Sequence, residues 1–345
     1  MATRVTLRQV AETAGVSIGT ASAVFTEKDW VSEPVKASVV EAARVLGYQP
    51  RRRRADAEPP VTDIGFVSWA GEAFSPANPY YARVLHGAQQ ACAGQGIALT
   101  YEVVDPGTGR LPLCVERGQV SGLLVLSYGS DREYLRRIIE AGVACVLLEH
   151  TPLDLPVDHV RHDDENGGYL ATRHLLELDR PGPVPALITA PENIAPATWR
   201  LRGYRRALEE HGLRFDPQYV RYCDFDVPGG HQAMLGLLDL PVPPTSVFCA
   251  NDESALGALD ALRGRGLRVP QDVALVGYDD VPLAEHASPP LTTIAADKEL
   301  IGAQAVWHLL ERLRHPGVAS RDTRLAVRLV RRGSTALGPA DGDRP

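Results

Sequence analysis

The stretch that most restricts what this chain can fold into is VTLRQVAETAGVSIGTASAVF, residues 5–25. Thr6 precedes Gln9 by three residues, the spacing at which a threonine hydroxyl and a glutamine side chain cap the first turn of a helix reciprocally. Leu7, Val10, Ala11 and Ala14 then fall on one face at helical period. Gly15 permits a tight turn, Val16 reaches back to the same core, and Ser17 caps a second short helix that points Ala21 and Val24 inward. A third helix follows: Ser32 caps it, Pro34 lies in its first turn, Val35, Val39, Ala42, Ala43 and Leu46 form its buried stripe, and Gly47 ends it. Two short helices joined by a glycine turn make a helix-turn-helix. The pattern alone also admits a small three-helix cluster with no nucleic-acid role.

Charge is distributed unevenly about this segment. The 345-residue chain holds 36 Lys and Arg against 43 Asp and Glu, a net −7, but residues 1–54 carry nine bases and five acids, or +4, leaving 27 against 38, or −11, for the rest. A positive first segment on an acidic body lets that segment approach phosphates while the body discourages indiscriminate coating of DNA. The segment closes on a run of four arginines, Arg51, Arg52, Arg53 and Arg54, which reads either as solvated surface or, between a headpiece and a larger domain, as a phosphate-contacting run. Pro59-Pro60 marks the boundary.

From Val61 short apolar runs alternate with amphipathic helices. The strand-like runs are 63–68, 98–104, 122–127, 144–148, 186–189, 246–250, 273–277 and 325–330; helical stretches at 79–93, 132–141, 166–178, 197–211, 229–238, 252–263 and 298–313 separate most of them. This alternation implies an α/β core of parallel sheets covered on both faces, with ligands bound beyond the carboxyl ends of the strands.

Several classes are disfavoured. No apolar run approaches the roughly 18 residues of a membrane span, and Arg4, Arg8, Gln9 and Glu12 interrupt any signal-like region, so the expected location is cytoplasmic with no membrane partner. The five cysteines are odd in number, widely spaced and without a CxxC, so no disulfide framework, zinc site or other metal is expected. The glycine pair in Gly94-Gln95-Gly96-Ile97-Ala98 lies between a helix and a strand, the reverse of a dinucleotide site, and no HExxH or Walker loop occurs. No catalytic residues and no cofactor are expected.

VTLRQVAETAGVSIGTAS, followed by VSEPVKASVVEAARVLGYQP, resembles the DNA-binding headpiece of the lactose-repressor (LacI/GalR) family of bacterial transcription regulators. NPYYARVLHG, SGLLVLS, RLRGYRRALEEHGL, FCANDESALGALDALRGRGLRVPQDVALVGYDD, SPPLTTI and RRGST are similar to the periplasmic-binding-protein-like core of the same regulators, so the resemblance runs from about Val5 to Thr335. It implies a helix-turn-helix headpiece at 1–50, an Arg-rich hinge at 51–60 and an effector-binding, dimerising core at 61–337. Within the core it implies one subdomain of 61–160 and 292–320 and a second of 161–291 and 321–337; residues 338–345 read as a disordered tail.

The resemblance also implies roles. Thr6, Ser17, Ile18, Gly19, Thr20, Ser22 and Ala23, with Arg51 to Arg54, are placed at operator DNA. Ile18 can press on a thymine methyl, Thr20 and Ser22 carry hydroxyls suited to phosphates or to local backbone bonds, and Ala23 stands where many relatives have arginine. Arg51 replaces the usual asparagine and Ala57 stands near the expected leucine, so the minor-groove wedge of the family's hinge is expected to be missing. The effector is expected between Tyr80, Tyr81, Ser127, Glu149 and Asp163 on one wall and Arg200, Phe225, Asn251 and Asp279 on the other. Asn251 reads equally as a helix cap, and Glu149 with His150 as a surface pair. Carbohydrate is the first expectation for the ligand, a nucleobase or other metabolite the second, and a homodimer the expected assembly. A transport binding protein would account for the core alone.

Overall fold

The computed structural model describes residues 5–25, 31–46, 48, 61, 63–69, 78–126, 132–149, 155 and 157–336; Gly47, Arg51 to Arg54, Ala57, Ser127, His150 and the expected tail lie outside the described residues. The chain divides between residues 60 and 61 into two compact units.

The first unit holds α1 (Leu7–Ala14), α2 (Ile18–Val24) and α3 (Glu33–Leu46). The Thr6 backbone N–H donates to Gln9 Oε1 at 2.8 Å while Gln9 N–H donates to Thr6 Oγ1 at 3.4 Å, so both otherwise orphaned donors are satisfied. Gly15 leaves α1 with φ 68°, and Val16 N–H returns to Ala11 O at 3.0 Å; a side chain at residue 15 would pay the left-handed penalty at the point that sets the angle to α2. Val10, Ala21, Val24, Val39 and Ala42 close the core of this unit.

The second unit runs β1 (Asp63–Trp69), α4 (Pro79–Gly94), β2 (Ala98–Val104), α5 (Leu113–Glu116), β3 (Gly122–Leu126), α6 (Arg132–Glu140), β4 (Ala144–Leu148) and β5 (Asp158–His162). It continues through α7 (Asp164–Glu177), β6 (Ala186–Thr189), α8 (Ala195–Glu210), β7 (Val220–Tyr222), α9 (Val227–Leu238), β8 (Ser246–Cys249) and α10 (Asp252–Gly264). Then come β9 (Ala274–Asp279), α11 (Pro282–His286), β10 (Thr292–Ala295), α12 (Lys298–Arg314), β11 (Asp322–Leu325) and β12 (Arg328–Val330). Two six-stranded sheets result, ordered β11-β5-β4-β3-β1-β2 and β12-β10-β9-β8-β6-β7. All pairings are parallel except that of β12 with β10. Each sheet is covered on both faces by apolar clusters, as parallel sheets require.

Two strands sit in the opposite lobe from the one expected. β10 was assigned with residues 292–320 to the first subdomain, yet Thr292 to Ala295 pair with Val276 to Asp279 in the second sheet. β11 was assigned with 321–337 to the second, yet Asp322 to Leu325 pair with β5 in the first. The expected single strand 325–330 is therefore two, because the chain passes from one sheet to the other at Ala326 and Val327.

Helices α7 and α8 approach until their backbones touch. A Cβ on Gly168 would lie 2.2 Å from Arg200 O, and one on Gly203 would lie 1.9 Å from Glu165 O. The same reciprocal contact joins α4 to α12 through Gly87 and Gly302, and α9 to α10 through Gly230 and Gly257. Without side chains at these points the helices pack closer than ordinary ridges and grooves allow.

Candidate functional site

Where the carboxyl ends of both sheets face each other they leave a cavity of about 470 Å³. The first lobe contributes Asn78, Tyr80 and Tyr81 from the start of α4. The second contributes Ile194, Pro196 and Arg200 along α8, the segment Asp224 to Asp226 after β7, Asn251 and Glu253 after β8, and Asp279 with Val281 at the end of β9. Among the described residues five non-glycine residues have positive φ, and four of them, Glu149, Phe225, Asp279 and Asp280, follow strand ends at this face; the fifth, Asp179, ends α7. Concentrated backbone strain of this kind marks sites whose side-chain directions are over-determined by their surroundings.

Arg200 occupies the floor. It is 4% exposed, donates through Nε to Asp164 Oδ1 at 2.8 Å and through Nη1 to Ala250 O, and its guanidinium stacks 3.6 Å from the Tyr278 ring centroid. Its Nη2 lies 3.5 Å from Asp279 Oδ1. Burial opposes its charge, but the Asp164 and Asp279 carboxylates prevail and hold it firmly protonated. Asp279, itself 7% exposed, has an Oδ1 that accepts no hydrogen bond. Burial pushes its carboxyl up to about 6, with Arg200 and Lys298 pulling the other way. Lys298, at the first position of α12, donates to the carbonyls of Asp279 and Asp280 and, at 3.0 Å, of Ala296, which stitches the end of β9 to the crossover into α12.

Of the nine expected effector residues, Tyr80, Tyr81, Arg200, Phe225, Asn251 and Asp279 line this one cavity. Two are placed elsewhere. Asp163 caps α7 through Asn166 N–H; the neighbouring Asp164, which sequence reasoning missed, turns inward to Arg200. Glu149 is buried behind Tyr80, whose hydroxyl donates to it, and His162 Nδ1 lies 2.6 Å from the same oxygen. It is therefore no surface pair. Burial works against its charge, but His162 and Tyr80 hold its carboxyl below the ordinary value. Ser127 lies outside the described residues. Asn251 is a cap as well as a wall: its Oδ1 accepts Ser254 N–H at 3.0 Å and its Nδ2 donates to Phe225 O at 2.7 Å. Asn78 and Glu253 were also missed; they meet across the cleft, Asn78 Nδ2 to Glu253 Oε2 at 3.3 Å.

In the first unit Ser17, Ile18 and Gly19 form an exposed ridge at the start of α2, Ile18 being 44% exposed. Ser17 Oγ accepts Thr20 N–H at 3.0 Å and lies 2.8 Å from Thr20 Oγ1, so it serves first as a cap. Thr6 likewise caps α1 and is exposed; Ser22 is half-buried. Ala23 is 5% exposed within the core of this unit, so its methyl does not face outward as a base-reading position requires.

Among the described residues no three His, Cys, Asp or Glu side chains are grouped to hold a metal, all five cysteines are buried free thiols, and no helix is long and apolar enough to cross a membrane.

Residues 6–51 match the bacterial regulatory proteins of the lacI family, and residues 173–335 match the periplasmic binding protein-like domain. The ribose operon repressor of Escherichia coli strain K12 is 34% identical over 336 residues, 95% of this chain and 99% of its own length. The solved complex of the transcriptional regulator CelR with cellobiose is 34% identical and superposes with a TM-score of 0.71, covering 96% of this chain and 100% of that one. The lac repressor dimer bound to operator and the anti-inducer ONPF is 29% identical with a TM-score of 0.70, covering 97% and 100%. The capped helix pair, the two-lobed α/β core and these matches over nearly its whole length place the chain in the lacI family of bacterial regulatory proteins.

Proposed function

We propose that this protein is a cytoplasmic transcriptional repressor, not an enzyme, that binds operator DNA as a homodimer and adjusts its affinity to a small polyhydroxylated effector held in the cleft. The observation that carries this reading is the cavity between two lobes, walled by Arg200 and Asp279 on one side and by Tyr80 and Tyr81 on the other, in a chain that also bears a capped helix pair with an exposed N-terminal ridge. Tyrosine and phenylalanine rings offer faces to an apolar sugar surface while carboxylates accept from its hydroxyls. Carbohydrate is further supported by the sugars named in the relatives, ribose and cellobiose. On DNA the Ser17 to Thr20 turn enters a major groove, Ile18 contacting a thymine methyl and Thr6, Ser17 and Thr20 approaching phosphates, with Arg51 to Arg54 adding phosphate contacts nearby. Ligand binding biases the arrangement of the lobes and hence the operator affinity of the dimer.

The test uses an operator selected from random DNA and the effector found by thermal shift. Asp279→Asn is expected to keep effector-free operator affinity within about twofold while weakening the effector's influence by roughly five- to 150-fold, the cost of one buried hydrogen bond to a charged group. An unaltered effector response would move the pocket elsewhere. Arg200→Ala is a poorer test, since it strands the buried Asp164 carboxylate and is expected to unfold the core by about 3 to 5 kcal/mol.

A further inference from the structure

The polar groups of the cleft divide sharply by direction. Among the described lining residues three donors are turned into the protein: Arg200 is engaged by Asp164 and Ala250 O, the Asn251 amide by Phe225 O, and the Tyr80 hydroxyl by Glu149. The carboxylates are turned the other way. Asp224 and Asp226 are exposed at the rim, Glu253 stands inside it with Oε2 held by Asn78, and Asp279 lies deep, its Oδ1 accepting no hydrogen bond and 3.5 Å from Arg200 Nη2. Asp226 Oδ1 accepts Gly229 N–H at 2.7 Å, which holds the side chain at that rim. Among the described lining residues four carboxylates therefore border the cavity against one cation, Arg200, which Asp164 and Asp279 already engage.

Such a wall is short of positive charge and of donors. A phosphate or carboxylate placed there would lose its hydration beside like charges, whereas an ammonium group would find carboxylate acceptors. Glu253 and Asp279 are both held above the ordinary carboxylate range, by burial first and, for Glu253, then by Asp226, and a nearby cation relieves both.

We propose that the effector carries a protonated amine, as an amino sugar or amino polyol does, seated between Glu253 and Asp226, and that phosphorylated and carboxylated sugars are shut out. This rests on the reading of the cleft as the effector site. Neutral hydroxyls fit the Asp279 end in the same way as in that reading; the amine is what sets Glu253 and Asp226 to use.

The full chain would be titrated by thermal shift and calorimetry against matched probes at pH 7: glucose, glucosamine and glucose 6-phosphate, the corresponding galactose set, and ribose beside an aminated and a phosphorylated pentose. The expected result is that an amine-bearing member binds at least about tenfold more tightly than its neutral parent and that its phosphorylated counterpart does not bind. Glu253→Gln, which keeps the partner of Asn78, is expected to abolish the amine preference, read as the ratio of the affinities for the amine and for its neutral parent. Parents that bind as well as their amines, or an amine preference that survives Glu253→Gln, overturn the proposal and leave the cleft reading standing. Binding of the phosphorylated members also overturns it. If no probe of any charge binds, both the proposal and the cleft reading fall.

Discussion

At the scale of single residues the second lobe holds a carboxyl that is out of place by ordinary rules. Asp252 is fully buried beneath the cleft, accepting from Thr293 Oγ1 at 2.6 Å and from Val281 N–H at 2.9 Å. Burial first, and the nearby Asp279 charge next, push it up to about 8 against those two bonds and Lys298. In the unfolded chain it titrates near 3.9. Between about pH 4 and about pH 8 the folded protein thus holds a proton that the unfolded chain has released, so this group's contribution to stability is complete below that window and is lost as pH rises through it. Asp252→Asn is expected to flatten the fall in melting temperature between about pH 5 and about pH 8 relative to the wild-type chain. Identical slopes would mean that Asp252 is ionised at neutral pH. Residue types alone did not mark this position: an Asp at the start of α10 reads as a helix-dipole partner, and only the placement of Gly277 and Thr293 over it shows that it faces inward.

At the scale of elements, what the sequence showed and what it hid follow from how each strand is stabilised. The long apolar strands were legible as continuous hydrophobic runs, buried along nearly their whole length, and the amphipathic helices through burial that repeats at period 3.6. β5 was not, because DHVRH is buried through ion pairs rather than hydrocarbon. Asp158 is held by Arg312 at 2.9 and 3.0 Å, Arg161 by Asp322 at 2.8 and 2.9 Å, and His162 by Glu149, and none of these partners is local in sequence. β7 has only three residues, and β10, TTIA, opens on two buried threonines rather than hydrocarbon. In the site, Arg200 and Asp279 were reached through resemblance, whereas Asp164 could have been found from helical phase: it lies four residues before Gly168, on the face of α7 that meets α8. The tightness of that contact gives the element-scale prediction. Gly203→Ala drives a methyl into Glu165 O and is expected to cost about 1 to 3 kcal/mol in urea denaturation, with a loss of effector affinity as α8 carries Arg200 away from Asp164. Full stability in that variant would show that the two helices can separate without disturbing the floor of the cleft.

At the scale of the whole molecule, charge separates the two tasks: a basic first segment and an acidic remainder. Replacing Arg51 to Arg54 with alanine is expected to weaken binding to all DNA sequences and to flatten the dependence of log affinity on log salt by up to about four phosphate contacts per subunit, with effector binding unchanged. An unaltered salt slope would remove the run from the interface. The floor of the cleft carries a consequence of a different kind. Arg200 is fastened by Asp164, Ala250 O and Tyr278, and Asn251 is spent on its own helix and on Phe225. On the proposed reading of the cleft, the groups that keep the pocket's shape are thus distinct from those left to recognise its contents, Asp279 in its depth and Asp224, Asp226 and Glu253 at its rim. A lineage built this way can exchange one signal molecule for another by single substitutions at the rim, each selectable at once, without passing through an unfolded ancestor.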